Sequence, residues 1–85
     1  MPKNSEREAT ITHLVQMIQA ARLRQKLSLN EIGTRSGLSR TMVMRVEKRE
    51  RLPTIDTLLR ITEALEIDLS KILKDAMKKA KCGKS

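Results

Sequence analysis

The 85 residues predict an all-α fold of five helices. Three observations carry that reading. Apolar residues recur three and four apart in successive runs, the period of one helix face. Helix-start chemistry stands before those runs, at Ser5 with Glu8, Ser28 with Glu31, Ser39, Thr54 and Asp68. Only three glycines and two prolines interrupt the chain, and no Phe, Tyr or Trp is present.

The first helix is expected to open on a Ser5–Glu8 capping box and to run to about Gln25. Its apolar stripe is Ile11, Leu14, Val15, Ile18 and Ala21. Residues 1–10 read as an N-terminal arm or an extension of that helix. His13 has no second His, Cys or carboxylate at ligand spacing, so no metal site is expected.

From Leu27 to Glu47 the chain writes two short helices and a tight turn, LSLNEIGTRSGLSRTMVMRVE. Ser28 and Glu31 form the capping box of the first. Gly33 and Ser36 are small enough for a second helix to come close. Gly37 sits where a helix end wants a residue tolerant of positive φ. Leu38 is an apolar plug and Ser39 a second N-cap. Val43 and Val46 then face inward, three apart, while Arg40, Thr41, Met44, Arg45 and Lys48 fall on the outer face. This is the pattern of a helix-turn-helix.

A charged loop, Lys48–Leu52, is closed by Pro53. Thr54 caps a fourth helix with the period Ile55, Leu58, Leu59, Thr62, Leu65, and Asp56 suits its first turn. Asp68 caps a fifth, whose stripe is Leu69, Ile72, Leu73, Ala76, Met77 and Ala80. Residues 11–77 read as the domain and 78–85 as a Lys-rich disordered tail. Gly83-Lys84-Ser85 lacks the first glycine and the following helix of a phosphate-binding loop. Cys82 reads as an incidental thiol.

With these residues the chain resembles the phage-repressor, Cro/Xre-like family of helix-turn-helix regulators. Gly37-Leu38-Ser39, then Val43, Arg45, Val46, Glu47, Pro53-Thr54, Thr57-Leu58 and Glu63-Ala64-Leu65 carry the likeness, which spans about Ile18 to Leu73. It implies a five-helix lambda-repressor-like DNA-binding domain whose helix 40–48 enters the major groove. Arg40, Thr41 and Arg45 match the family's base readers, and each arginine can fork two hydrogen bonds onto a guanine. Met44 lies on the same reading face, where the family often has a polar residue, and can press on a thymine methyl. Arg22, Ser28, Arg35, Ser39, Lys48, Arg49 and Arg51 would hold phosphates. The resemblance also pairs Arg22 with Glu47, the alternative being two unrelated solvated charges. Besides Met44, three positions depart from the family pattern. Leu29 stands where many relatives have glutamine, and Arg49 and Glu66 stand where glycine is common. At Arg49 the helix is therefore expected to run longer or end differently. Family repressors commonly dimerise through the C-terminal end. Leu69 and Leu73 are accordingly expected to go inward, with Ile72, Ala76 and Met77 meeting a second copy. Alternatively the whole stripe covers the monomer's own core.

Charge supports a polyanionic partner. The formal net charge is +8, and residues 22–51 alone hold nine cations against three acids, a net +6 beside the proposed reading head. The lack of aromatics counts against single-strand recognition by stacking. One histidine, one cysteine and no carboxylate constellation count against an enzyme, and no cofactor is expected. A single cysteine and the absence of an apolar leader point to a cytoplasmic protein with no membrane segment. The expected function is a sequence-specific regulator, a dimeric repressor reading an inverted repeat of double-stranded DNA. The alternative is an antitoxin that also binds a toxin partner.

Overall fold

The computed structural model describes residues 4–82, with side chains described from 5 to 81. Five helices follow in order: α1 Asn4–Arg24, α2 Leu29–Ser36, α3 Arg40–Glu47, α4 Ile55–Leu65 and α5 Leu69–Cys82. The described residues contain no strand, so the expected all-α class is what the chain adopts. Helix α1 lies against α3, α4 and α5, while α2 rests on α3 and α4. Between them Val15 and Ile18 of α1 meet Ile32, Val43, Val46, Ile61 and Leu65, all at most 1% exposed. Ile61, absent from the period expected for α4, takes a core position; Ile55 and Leu59, part of that period, turn outward.

Two boundaries differ from expectation. Ser5 lies inside α1, which is already helical at Asn4, so the capping box proposed at Ser5 and Glu8 is corrected and the arm is a helix extension from Asn4. Partial burial of the stripe begins at Ile11, the residue after Thr10, whose Oγ1 donates to the carbonyl of Glu6 at 2.8 Å. At the other end, residues 78–82 are helical rather than a disordered tail. The reason is Ala80, which is buried four residues after buried Ala76 and ties the last turns of α5 down. Cys82 closes the helix, and the Gly83–Ser85 segment lies outside the described residues.

Three helices end on a non-glycine residue in the left-handed region. Lys26, Arg49 and Glu66 have φ of 59°, 60° and 58°. In each, the amide at that position reaches back three residues and the next amide reaches back five. The bonds are Lys26 to Leu23 and Leu27 to Arg22, Arg49 to Val46 and Glu50 to Arg45, and Glu66 to Glu63 and Ile67 to Thr62. This is the Schellman pattern. The expectation that α3 runs longer or ends differently at Arg49 is corrected: the helix ends as it would with glycine, and Arg49 accepts the strain.

The stripe of α5 is divided differently from the expected split. Ala76 is 0% exposed within a single chain, so its assignment to a dimer interface is corrected: no partner can reach it. Ile72 is half-buried: it packs against the chain's own core and its outer edge lines a shallow open pocket with Met17 and Ala21 of α1. Leu69 and Leu73, expected to go inward, do pack against the core, partly buried like Ile72, and their outer edges line an open groove with Leu59 and Ile67. Met77 remains outward. The phase of a helix about its axis is set by what packs on it, and here α1 claims the Ile72–Ala76–Ala80 side.

Candidate nucleic-acid interface

The helix pair is built from local chemistry. Ser28 Oγ accepts from the Glu31 amide at 3.0 Å, and Glu31 Oε1 accepts from the Ser28 amide at 2.8 Å, completing the capping box. The Ser28 amide, then its hydroxyl, hold the Glu31 carboxyl below its ordinary pKa. Gly37, at φ 76°, ends α2 and returns its amide to the Gly33 carbonyl. Ser39 Oγ then accepts from the Met42 amide at 3.0 Å and starts α3. A Cβ on Gly33 would stand 2.8 Å from the Leu38 carbonyl oxygen and 3.3 Å from the Arg40 amide nitrogen. The start of α3 therefore lies on α2 at a distance only glycine permits.

Val43 and Val46 anchor α3 beneath its outer face. Arg40, Thr41, Arg45 and Lys48 are exposed and Met44 is half-exposed, so one helix face presents the four proposed base readers together. Among the described residues neither Arg40 nor Arg45 has a hydrogen-bond or ion-pair partner, leaving both guanidinium forks free. Arg51 is likewise exposed and unpartnered there, while Arg35 is exposed with the Glu31 carboxylate one turn before it. Leu29 packs against the core rather than standing in for the family's glutamine. The hydroxyl oxygens of Ser28 and Ser39 are occupied as caps; the Ser39 O–H remains a donor, while the Ser28 hydroxyl is engaged with Glu31.

The Arg22–Glu47 pair is present. Arg22 also gives Nη1 to the Leu27 carbonyl at 2.8 Å. Any phosphate contact by Arg22 rests on its two remaining N–H groups. Arg49 donates to Thr12 Oγ1 at 2.9 Å, which ties the end of α3 to α1.

Sequence reading missed two positioning residues. Arg60 donates Nε to Asp56 at 2.8 Å and Nη1 to the Ser36 carbonyl at 3.3 Å, so α4 caps the end of α2 at the turn. The Asp56 spacing, four residues before Arg60, was a readable signal; the reach to Ser36 was not. Gln25 Nε2 donates to the Leu65 carbonyl at 2.8 Å and closes the end of α4. No local pattern announces that bond.

Two capped helices crossing at a glycine, with unpaired arginines outside the second, define a helix-turn-helix DNA-binding protein. The helix-turn-helix family model matches residues 18–72, well over half of the chain. The chain therefore belongs to the Cro/Xre-like helix-turn-helix family of DNA-binding transcription regulators. It is 32% identical over 57 residues to an uncharacterised HTH-type transcriptional regulator, y4dL, of Sinorhizobium fredii. That match covers 67% of this chain and 29% of the relative, so the chain spans less than a third of that protein. Its fold is similar to a crystal structure of a point mutant of the restriction-modification controller protein C.Esp1396I. The TM-score is 0.74 at 21% identity, covering 89% of this chain and 97% of that one. No described helix is long and apolar enough to cross a membrane, and the described residues hold no group of three or more potential metal ligands.

Proposed function

We propose that this protein is a dimeric repressor that reads an inverted-repeat operator with α3. The observation that carries the proposal is the outer face of α3, where Arg40 and Arg45 stand exposed and unpartnered beside Thr41 and Met44. A bidentate arginine on guanine O6 and N7 is the commonest specific major-groove contact. Arg35, Lys48, Arg49 and Arg51 supply sequence-independent phosphate contacts around that face.

One recognition helix covers only a few base pairs, so selection of a genomic site calls for two copies. The apolar surface that supports pairing runs along α4 and α5. Leu52, Ile55 and Leu59 are 73%, 63% and 42% exposed, and Leu59 continues into an open groove of about 440 Å³ with Leu69 and Leu73. Met77 extends it one turn further along α5. An isologous contact there would place two α3 helices about 34 Å apart, on successive major grooves.

Footprinting on the DNA upstream of the protein's own gene, with sedimentation at micromolar concentration, tests this reading. The expected result is a dimer protecting a two-fold site with half-site centres about 10 base pairs apart. A monomer protecting one asymmetric half-site overturns it. Neighbouring genes then separate the settings: a restriction endonuclease gene, a phage operon or a small toxin gene.

A further inference from the structure

Because α5 continues to Cys82, its lysines are ordered into a line. At about 100° per residue, Lys74, Lys78 and Lys81 fall within an arc of about 60°, with Lys71 beside them. All four are exposed, and they lie opposite the Ala76–Ala80 side that faces the core. The Asp68 carboxylate acts on Lys71 across the first turn. Lys74, Lys78 and Lys81 have no ion-pair partner among the described residues, and the one acid of α5, Asp75, lies off their arc. Like charges three and four apart repel on a helix surface, a cost that only Asp75, three residues before Lys78, and the negative end of the helix dipole offset within α5.

The chemistry of this stripe differs from that of the reading head. Residues 22–51 use seven arginines and two lysines, whereas α5 has five lysines and no arginine. Arginine's planar fork suits base edges; lysine's compact ammonium is a point charge that meets any phosphate. Helix α1 packs against both α3 and α5, so the two cationic surfaces belong to different elements of the fold.

We propose that Lys74, Lys78 and Lys81 form a second, sequence-independent contact surface for the phosphate backbone of duplex DNA. The phosphates come either from the flanks of the duplex held by α3 or from a second duplex. The proposal rests on the DNA-binding reading above and adds to it a surface outside the helix-turn-helix.

The test is a triple Lys74→Gln/Lys78→Gln/Lys81→Gln variant, titrated with random-sequence duplexes of about 15 and 60 base pairs over a range of salt. Its circular dichroism should match the parent, showing that the fold is kept. The slope of log K against log salt should become shallower by about 2–3. The matching triple Lys→Arg variant should keep the parental slope. A change seen only on the long duplex assigns the stripe to flanking DNA. Loss of capture of a second labelled duplex by a protein–DNA complex on beads assigns it to a second duplex. Unchanged slopes on both lengths, with capture unaffected, overturn the proposal, as does a stripe that binds polyglutamate while the DNA slope stays fixed. If the parent itself fails to bind duplex DNA, the functional reading falls; if only the Gln variant equals the parent, the stripe alone does.

Discussion

Arg22 and Glu47 lie 25 residues apart and form a two-pronged ion pair, Nε to Oε2 at 2.6 Å and Nη2 to Oε1 at 3.0 Å. Their side chains are only 12% and 6% exposed. The pair joins the end of α1 to the last residue of α3, and the Leu27 carbonyl holds the same guanidinium from the turn before α2. One side chain thus fixes the recognition helix to the scaffold and to the entry of its partner helix. Burying such a pair in place of apolar groups gains little net stability, but it specifies one arrangement.

Removing one partner strands the other's charge. Glu47→Ala should cost about 3–5 kcal/mol, while Glu50→Ala, at an exposed loop position, should stay within about 0.5 kcal/mol of the parent. Thermal denaturation of the two variants reads this directly. Equal midpoints would reduce the pair to a surface contact.

Relieving left-handed strain should stabilise the fold. Glu66→Gly is expected to gain about 1 kcal/mol, raising the midpoint by roughly 4–8 °C in a domain of this size. Arg49→Gly should gain less, because it also removes the guanidinium bond to Thr12. A midpoint drop for Glu66→Gly would show that αL costs nothing there.

Gly33→Ala tests the close approach of α2 and α3. Alanine favours a helix by about 1 kcal/mol, but its Cβ would meet the backbone oxygen of Leu38 at 2.8 Å. Backbone cannot swing aside as a side chain can, so the clash should win, by about 1–3 kcal/mol. Chemical denaturation gives the sign, and DNA binding should weaken as α3 shifts.

Acid should weaken the fold through two caps. Hydrogen bonds from Ser28 hold Glu31, and hydrogen bonds from Ser70 hold Asp68, below the ordinary carboxylate range. A depressed folded-state pKa contributes stability that is complete above the unfolded pKa and lost as pH falls through the folded one. The thermal midpoint should therefore decline below about pH 4.5, and Glu31→Gln should flatten part of that decline. A variant with the parental pH profile would deny the capping box any share.

Base readers and phosphate contacts should separate by mutation. Arg40→Ala and Arg45→Ala should each cost about 1–3 kcal/mol on the operator and relax sequence choice. Arg35→Ala should weaken specific and random duplexes alike and lower the salt slope by about 1. Competition binding with both duplexes measures the difference. Equal losses in the two groups would mean that the reading face is misassigned.

The residues themselves determined most of what depends on near neighbours, the exception being the Ser5–Glu8 box, since α1 is already helical at Asn4. Ser28 with Glu31, Ser39, Thr54 and Gly37 form the caps and the turn they spell, because a cap joins a side chain to an amide two or three residues on. The inward Val43 and Val46, and hence the outward Arg40 and Arg45, follow from helical period alone. Tertiary structure decided what depends on distant partners. Packing on α1 buried Ala76 and Ala80 and left Leu69, Ile72 and Leu73 half-covered, since a stripe wider than one contact has no preferred side of its own. Burial of Ala80 carried α5 to Cys82 and aligned the lysines. Arg60 on Ser36 and Gln25 on Leu65 join elements 24 and 40 residues apart, and no local rule sets those distances.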